Sequence, residues 1–123
     1  METKDPTKLK VGEFGKTLRA KLKEFEKKTY KEQLTKLGQF LSKMGKTLQE
    51  DLTKAVEEEH VDYVEKKFNF LFYKEDIERL PEFDSLYEYC KLLGVKISVS
   101  GSNKGKKITH YSIDRTFVKI FIP

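Results

Sequence analysis

The stretch Leu34–Val56, LTKLGQFLSKMGKTLQEDLTKAV, carries a regular apolar pattern. Seven apolar residues follow one another at intervals of three or four positions: Leu34, Leu37, Leu41, Met44, Leu48, Leu52 and Val56. This spacing places their side chains on one face of an α-helix. Two glycines lie one heptad apart, each directly after a member of the stripe. Because glycine costs a helix about 1 kcal/mol relative to alanine, they indicate a surface that another backbone approaches closely.

This surface has two interpretations. It is the inner face of a helical bundle within the chain, or an interface with a partner protein or a second copy. For the second interpretation, the predicted interface residues are Leu34, Leu37, Gly38, Leu41 and Gly45.

The composition bounds the class of protein. The 123 residues fit a single domain, 1–123, in which an apolar share of 37% and a charged share of 37% imply an economical core and a heavily solvated surface. No apolar run approaches the ~18 residues that a membrane span requires, and the N-terminus shows no signal-peptide core. Cys90 is the single cysteine, which fits a reducing compartment and a cytoplasmic location.

The net charge of +5 is unevenly distributed. Residues 1–50 carry 13 basic and 7 acidic side chains, residues 51–90 carry 5 basic and 12 acidic, and residues 91–123 carry 7 basic and 1 acidic. Two basic ends therefore flank an acidic middle. This pattern favours local contacts with a polyanion over a uniformly basic coat.

The order of periodic segments predicts an α+β fold. Helical spacing dominates from about residue 6 to residue 93, which predicts an N-terminal helical bundle of three to five helices. Thr29 with Glu32 and Thr47 with Glu50 both form capping-box patterns, either of which can restart a helix. We favour the first as the break between two helices. The segment Val61–Phe72 is interpreted as a further helix, with a short strand within 68–73 as the alternative.

The period then changes to two. Val95, Ile97 and Val99 alternate with polar residues, which is typical of a strand with one solvated face. A glycine-containing turn follows at 101–107, and 108–113 and 117–122 are interpreted as two more strands. The expected architecture is a helical part, about 6–93, followed by a small antiparallel β-meander, about 95–122.

The basic C-terminal part is the sharpest functional candidate. A lysine-rich hairpin tip reaches phosphate groups by point charges and counterion release. The predicted nucleic-acid-binding residues are Lys96, Lys104, Lys106, Lys107, Arg115 and Lys119. The alternative is that an exposed hairpin tip carries lysines only to stay soluble and to prevent edge pairing.

The last strand offers a related possibility. Phe117, Lys119 and Phe121 alternate with Val118 and two isoleucines. If the first set faced solvent, two aromatic rings around a lysine would form a stacking platform for single-stranded nucleic acid. A central strand buried on both faces is the more common explanation of such a sequence.

The first helix suggests docking instead. Lysines flank an apolar stripe that includes Phe14, Leu18, Leu22 and Phe25, as in amphipathic helices that lie in a partner's groove or on an anionic membrane. Interspersed glutamates dilute the basic face, so pairing with a protein partner or a second copy is favoured over a membrane.

The residues available for catalysis do not assemble into a site. His60 has no second histidine or cysteine at ligand spacing, so we predict no metal site. His110, Ser112 and Asp114 would point in parallel from one strand and would not converge on a substrate atom. Cys90 is interpreted as a small core residue. We predict no enzyme activity and no cofactor.

Two functions remain. The first is a small basic nucleic-acid-binding or nucleic-acid-associated accessory protein that contacts DNA or RNA phosphates through the lysine-rich hairpin. The alternative is a protein-interaction module or inhibitor, of the kind that phages and mobile elements encode, that docks a partner through its helical surface.

Overall fold

The computed structural model describes residues 11–102 and 115–123 of the chain. The helical elements are α1 (Val11–Lys46), α2 (Leu48–Lys54), a π-helical turn (Ala55–Glu59), α3 (Lys74–Glu78) and α4 (Pro81–Leu93). The strands are β1 (Tyr63–Phe68), β2 (Lys96–Val99) and β3 (Thr116–Phe121). The predicted α+β class is therefore confirmed, with a long N-terminal helix and a small antiparallel sheet. The strand predicted over 108–113 lies outside the described residues.

Helix α1 continues through Thr29 and Glu32, so the break predicted there is wrong. The capping-box pattern offers a helix start, but no glycine or proline lies between positions 16 and 37 to stop the preceding helix. The interruption falls at Thr47 instead. Its hydroxyl donates to Asp51 Oδ2 at 2.8 Å, and the Asp51 N–H donates to the Thr47 carbonyl at 2.9 Å.

Contacts divide the chain into two compact units, with the boundary between Glu32 and Gln33. In the first unit, every side chain from Gly12 to Phe25 is exposed. The apolar stripe is included, with exposed fractions of 39% for Phe14, 51% for Leu18, 46% for Leu22 and 66% for Phe25. Among the described residues, no helix has both the length and the apolar character needed to cross a membrane. The single-domain assignment stays a prediction.

The core of the second unit is built on the stripe quoted at the outset. Leu37, Leu41 and Leu48 are 0% exposed and Met44 is 3% exposed. Helix α4 contributes Leu86 and Cys90 to the same core. Burial of each large apolar side chain contributes about 1.5–3 kcal/mol to stability, so this stripe accounts for much of the stability of the unit.

The stripe departs from the predicted pattern at its end. Ala55 is buried at 3% exposure, whereas Val56 is 43% exposed. Both lie in the π-helical turn, which has more residues per turn than an α-helix and so shifts the face that each position occupies.

The sheet has the strand order β1-β3-β2, with both pairs antiparallel. Its first strand, Tyr63–Phe68, lies in the segment that we interpreted as a helix, so that interpretation is wrong. Val64, Phe68 and Phe72 are spaced by four residues. A spacing of four keeps side chains on one face in a helix and also in a strand, so the periodicity did not discriminate between them.

The sheet packs one face inward. Thr116, Val118 and Ile120 of β3 are all 0% exposed. Thr116 is polar, and its hydroxyl donates to the Phe70 carbonyl at 2.7 Å, which satisfies it away from water. The Phe68 ring lies edge-on to Phe40 of α1 with centroids 5.5 Å apart. The helices and the sheet of this unit therefore share one core.

Candidate nucleic-acid interface

The face of the sheet opposite the core is open and carries aromatic and basic side chains. Along β3 the burial alternates, so that Phe117, Lys119 and Phe121 point away from the core. Phe117 is 39% exposed, and Lys119 and Phe121 are half-buried. The strand is therefore buried on one face only. This is the arrangement that the platform interpretation requires, and the alternative of a strand buried on both faces is wrong.

The neighbouring strands complete this face. Residues directly opposite in an antiparallel pair point to the same side of the sheet. On β1, Lys67 lies opposite Phe117, Glu65 opposite Lys119 and Tyr63 opposite Phe121. On β2, Ser98 lies opposite Lys119 and Lys96 opposite Phe121. We call this set the open sheet face: Tyr63, Glu65, Lys67, Lys96, Ser98, Phe117, Lys119 and Phe121.

Lys119 lies at the centre of the open sheet face, between two rings. Its Nζ is 4.6 Å from the centroid of the Tyr63 ring and 5.9 Å from that of Phe121. Cation–π contacts at such exposed sites are worth about 0.5–1 kcal/mol each. The central lysine thus links β1 to β3 and also holds a positive charge on the surface.

The charge of the open sheet face is positive. Lys67, Lys96 and Lys119 contribute three positive charges, and Glu65 contributes one negative charge. Lys66 alternates to the other side of β1 and lies 3.7 Å from Asp51 Oδ2 of α2. The three lysines of the open sheet face are therefore the cations that β-strands present on this side, and Glu65 partly offsets Lys119.

The predicted nucleic-acid-binding residues are distributed as follows. Lys96 and Lys119 lie on the open sheet face. Arg115 directly precedes β3 and is half-buried. Lys104, Lys106 and Lys107, the predicted hairpin tip, lie outside the described residues. Their contribution to binding stays a prediction.

The structure also brings in two residues that sequence reasoning missed, Tyr63 and Lys67. Both belong to β1, which we interpreted as a helix. The aromatic and β-branched residues of Tyr63–Phe68 are a strand signal, but charged residues occupy its middle positions and weaken the alternation. Only the pairing with β3 reveals that they share a face with Phe117.

The predicted interface residues of α1 occupy a different place. Leu37 and Leu41 are fully buried, Gly38 is buried, and Leu34 and Gly45 are partly exposed. A Cβ on Gly38 would lie 2.7 Å from Glu82 Oε2, and one on Gly45 would lie 3.5 Å from Leu86 Cδ1. Both contacts come from α4 of the same chain. Gly38 thus accommodates a side chain of the same chain, whereas Gly45 leaves room for a Cβ, and a role of either in an interface with another chain stays a prediction.

Of the candidates for catalysis, His110, Ser112 and Asp114 lie outside the described residues, and the structure describes His60 and Cys90. No group of three or more His, Cys, Asp or Glu side chains there is arranged to hold a metal ion. His60 is exposed and ends the π-helical turn in a left-handed conformation, with φ of 59°. Cys90 is buried in the core, and burial raises the pKa of its thiol to about 11. A thiol with so high a pKa is a poor nucleophile at neutral pH.

Comparisons with protein-family models, with curated proteins and with solved structures found no match to this chain. A functional proposal therefore depends on the geometry of the two exposed surfaces, the open sheet face and the stripe of the first unit.

Proposed function

We propose that this chain is a small, non-enzymatic nucleic-acid-binding protein that contacts phosphate groups through lysines of the open sheet face. The observation that carries the proposal is the alternation along β3, which brings Phe117, Lys119 and Phe121 to the surface beside Lys67 and Lys96. Cations supply the affinity for a phosphate backbone, and exposed rings accept bases. The lysines of the predicted hairpin tip belong to the same proposal, because they precede β3 in the sequence.

The positions of the edge-strand lysines support a backbone path across the sheet. Lys67 on β1 lies opposite Phe117, whereas Lys96 on β2 lies opposite Phe121. With strands about 4.8 Å apart and about 3.4 Å per residue, these two lysines stand at diagonal corners roughly 16 Å apart. Lys119 lies between them. A nucleic-acid strand crossing the sheet diagonally would therefore meet three lysines in succession.

The test is the salt dependence of binding. Affinity for a short fluorescein-labelled single-stranded oligonucleotide is measured by anisotropy between about 50 and 200 mM salt. In the double variant Lys67→Gln/Lys96→Gln, the affinity should fall and the slope of log K against log salt should decrease by about 1.4, since each phosphate contact on a single strand contributes about 0.7. Lys119 is kept in this variant because its ring contacts support the sheet.

The matched control is Lys43→Gln/Lys54→Gln, which removes the same charge from exposed positions of α1 and α2. It should retain the wild-type slope. Glu65→Gln should change affinity in the opposite direction, because it removes the carboxylate beside Lys119. If both double variants lose the same affinity, the binding reflects general charge attraction and not this face. An unchanged salt slope in Lys67→Gln/Lys96→Gln would also overturn the proposal for this face.

A second candidate function is docking of a partner protein through the first unit. Four large apolar side chains of one helical face, Phe14, Leu18, Leu22 and Phe25, are 39–66% exposed. Residues 11–32 carry seven basic and four acidic side chains, a net charge of +3. By charge complementarity, the expected partner is a protein that has an apolar groove with an acidic rim, into which this helical face would dock.

Purification from the native host tests this second function. A stoichiometric protein partner that survives high salt, and that Leu18→Asp/Leu22→Asp releases while Lys16→Gln/Lys23→Gln retains, would support it. If the purified chain sediments as a dimer and Leu18→Asp/Leu22→Asp converts it to a monomer, the stripe would be an interface with a second copy of the chain. Binding to anionic vesicles would assign it to a membrane. Either of these two results would overturn the partner-protein assignment.

A further inference from the structure

The ring of Phe117 differs from the other two rings of the open sheet face. The Tyr63 and Phe121 rings both contact the Lys119 ammonium, so part of each ring face already has a partner. None of the ring–ring or cation–ring contacts within residues 11–102 and 115–123 involves Phe117, which is 39% exposed. In the described part of the chain, Phe117 therefore presents a ring with no aromatic or cationic partner.

Hydrogen bonds hold the backbone that carries this ring. Phe117 lies on the central strand, and its N–H donates to Ser100 Oγ at 2.8 Å. The Ser100 N–H donates back to the Phe117 carbonyl at 3.0 Å. Lys67 lies across from it on β1. Because strands on both sides hold the backbone of Phe117, stacking of a ligand on its ring requires no ordering of the main chain.

Two lysines of the open sheet face are neighbours of Phe117 in the strand ladder. Lys67 is its cross-strand neighbour, within the 4.5–5.5 Å that separates the Cβ atoms of such pairs. Lys119 is two residues further along the same face of β3, about 7 Å away. A base placed on Phe117 would thus have the Lys67 ammonium available to a phosphate of its nucleotide, while the Lys119 ammonium lies against the Tyr63 and Phe121 rings.

Resting on the proposed function, we infer that the open sheet face takes single-stranded nucleic acid and that one base stacks on the ring of Phe117. The bases of a duplex are paired and stacked on one another, so their faces are not available to a flat protein surface. A single strand presents them. Because every base has such a face in DNA and in RNA, the site selects unpaired strands of either type and has little preference for sequence.

The experiment compares four labelled probes of equal length by fluorescence anisotropy: single-stranded DNA, single-stranded RNA, duplex DNA, and a DNA strand in which every base is replaced by an abasic linker. The abasic strand keeps the phosphates and loses the rings. The wild-type chain should bind both single strands more tightly than the duplex or the abasic strand. Phe117→Leu keeps an apolar side chain without a ring, and it should weaken single-strand binding by about 5- to 150-fold while leaving abasic binding unchanged.

Phe117→Trp provides the rescue, because it restores a ring and should retain the affinity for single strands. Thermal unfolding of each variant shows whether the sheet is intact, and the abasic affinity reports separately on the lysines. The stacking inference is overturned if abasic and natural strands bind equally, or if Phe117→Leu binds single strands as wild type does. In both cases, lysine-dependent binding would leave the proposed function standing. Absence of salt-dependent binding to all four probes would instead refute the proposed function itself.

Discussion

The two apolar stripes of α1, one in residues 11–32 and one in residues 33–46, follow the same helical spacing, but the first is exposed and the second is buried. Phe14, Leu18 and Leu22 are exposed, whereas Leu37 and Leu41, on the same helix, are fully buried. Helical spacing determines which side chains share a face, but not whether a neighbour covers that face. The buried stripe is contacted by α4 at two glycines, Gly38 and Gly45. The exposed stripe also has two glycines, Gly12 and Gly15, and a Cβ on either would meet nothing within 4 Å.

Buried and exposed apolar faces are therefore separated along one helix. The segment 33–46 anchors the core of the second unit, while the face of 11–32 remains available for contacts beyond its own unit. Helices of globular proteins owe most of their stability to tertiary packing. The stripe of the first unit is therefore the more informative surface for function, together with the open sheet face, and the stripe of the second unit is the more informative for folding.

The largest effect is expected from matched leucine truncations in the two stripes. Leu41→Ala removes a fully buried side chain and should lower the free energy of unfolding by about 2–5 kcal/mol. Leu22→Ala removes one that is 46% exposed and should change it by less than about 0.5 kcal/mol. Urea denaturation followed by circular dichroism measures both. A large loss of unfolding free energy in Leu22→Ala would contradict the difference between the two stripes, because it would show that the first stripe also packs against a partner.

A smaller effect of the opposite sign is expected from glycine-to-alanine changes. Gly45→Ala places a methyl group 3.5 Å from Leu86 Cδ1, an ordinary contact, and improves helix propensity. It should stabilise the chain by about 0.5–1 kcal/mol and raise the melting temperature. Gly15→Ala has the same propensity but no neighbour within 4 Å. It should slow amide hydrogen exchange around position 15 while leaving the main unfolding transition unchanged, and a shift of that transition would contradict the separation.

At neutral pH the smallest effect is that of Cys90 ionisation, because its thiol is neutral in the folded and in the unfolded chain at pH 7. Because burial raises its pKa to about 11, the unfolded chain loses this proton first as the pH rises. The stability that the thiol contributes is therefore present below about pH 9 and lost as the pH rises through about 11. The stability advantage of wild type over Cys90→Ala should narrow over that interval, as measured by thermal unfolding. An advantage that is constant with pH would contradict a buried thiol.

The rate at which a reagent labels the Cys90 thiol also distinguishes the two stripes of α1. At pH 8, a thiol with a pKa of about 11 is ionised in roughly one molecule per thousand. Labelling of native protein by a thiol reagent should consequently be slow and should become fast in urea. Since Cys90 is the single cysteine, the signal has one source. Leu41→Ala should accelerate labelling, whereas Leu22→Ala should leave its rate unchanged.

Several features of the fold could be predicted from the local sequence pattern, because interactions between residues close in sequence determine them. The stripe Leu37, Leu41, Met44 and Leu48 was recognised from its spacing, and β2 from its alternation of apolar and polar residues. Lys96 and Lys119 of the open sheet face were predicted as basic residues of the C-terminal strands. A close approach of another backbone was predicted at Gly38 and Gly45, but the nearest atoms there belong to the Glu82 and Leu86 side chains of α4, and the one at Gly45 is at ordinary contact distance.

Other features depend on pairing between segments far apart in sequence. Strand β1 was misassigned because residues spaced by four satisfy both periods, and only its ladder with β3 distinguishes them. For this reason Tyr63 and Lys67 were missed as members of the open sheet face. The continuity of α1 through Thr29 was missed because a capping pattern signals a possible start and does not by itself stop a helix.

The sequence by itself determined which side chains share a face of a helix or strand, because that follows from the fixed geometry of each element. It also determined the basic ends, the acidic middle and the α+β class. Only the tertiary structure decided which faces are covered: α4 against the second stripe of α1, and β1 and β2 on either side of β3. The reason is physical, since burial is a property of pairs of elements and their sequences carry no local record of the partner. The exposure of the Phe117 ring therefore follows from how β1, β2 and the helices pack around β3, and the sequence of β3 alone does not determine it.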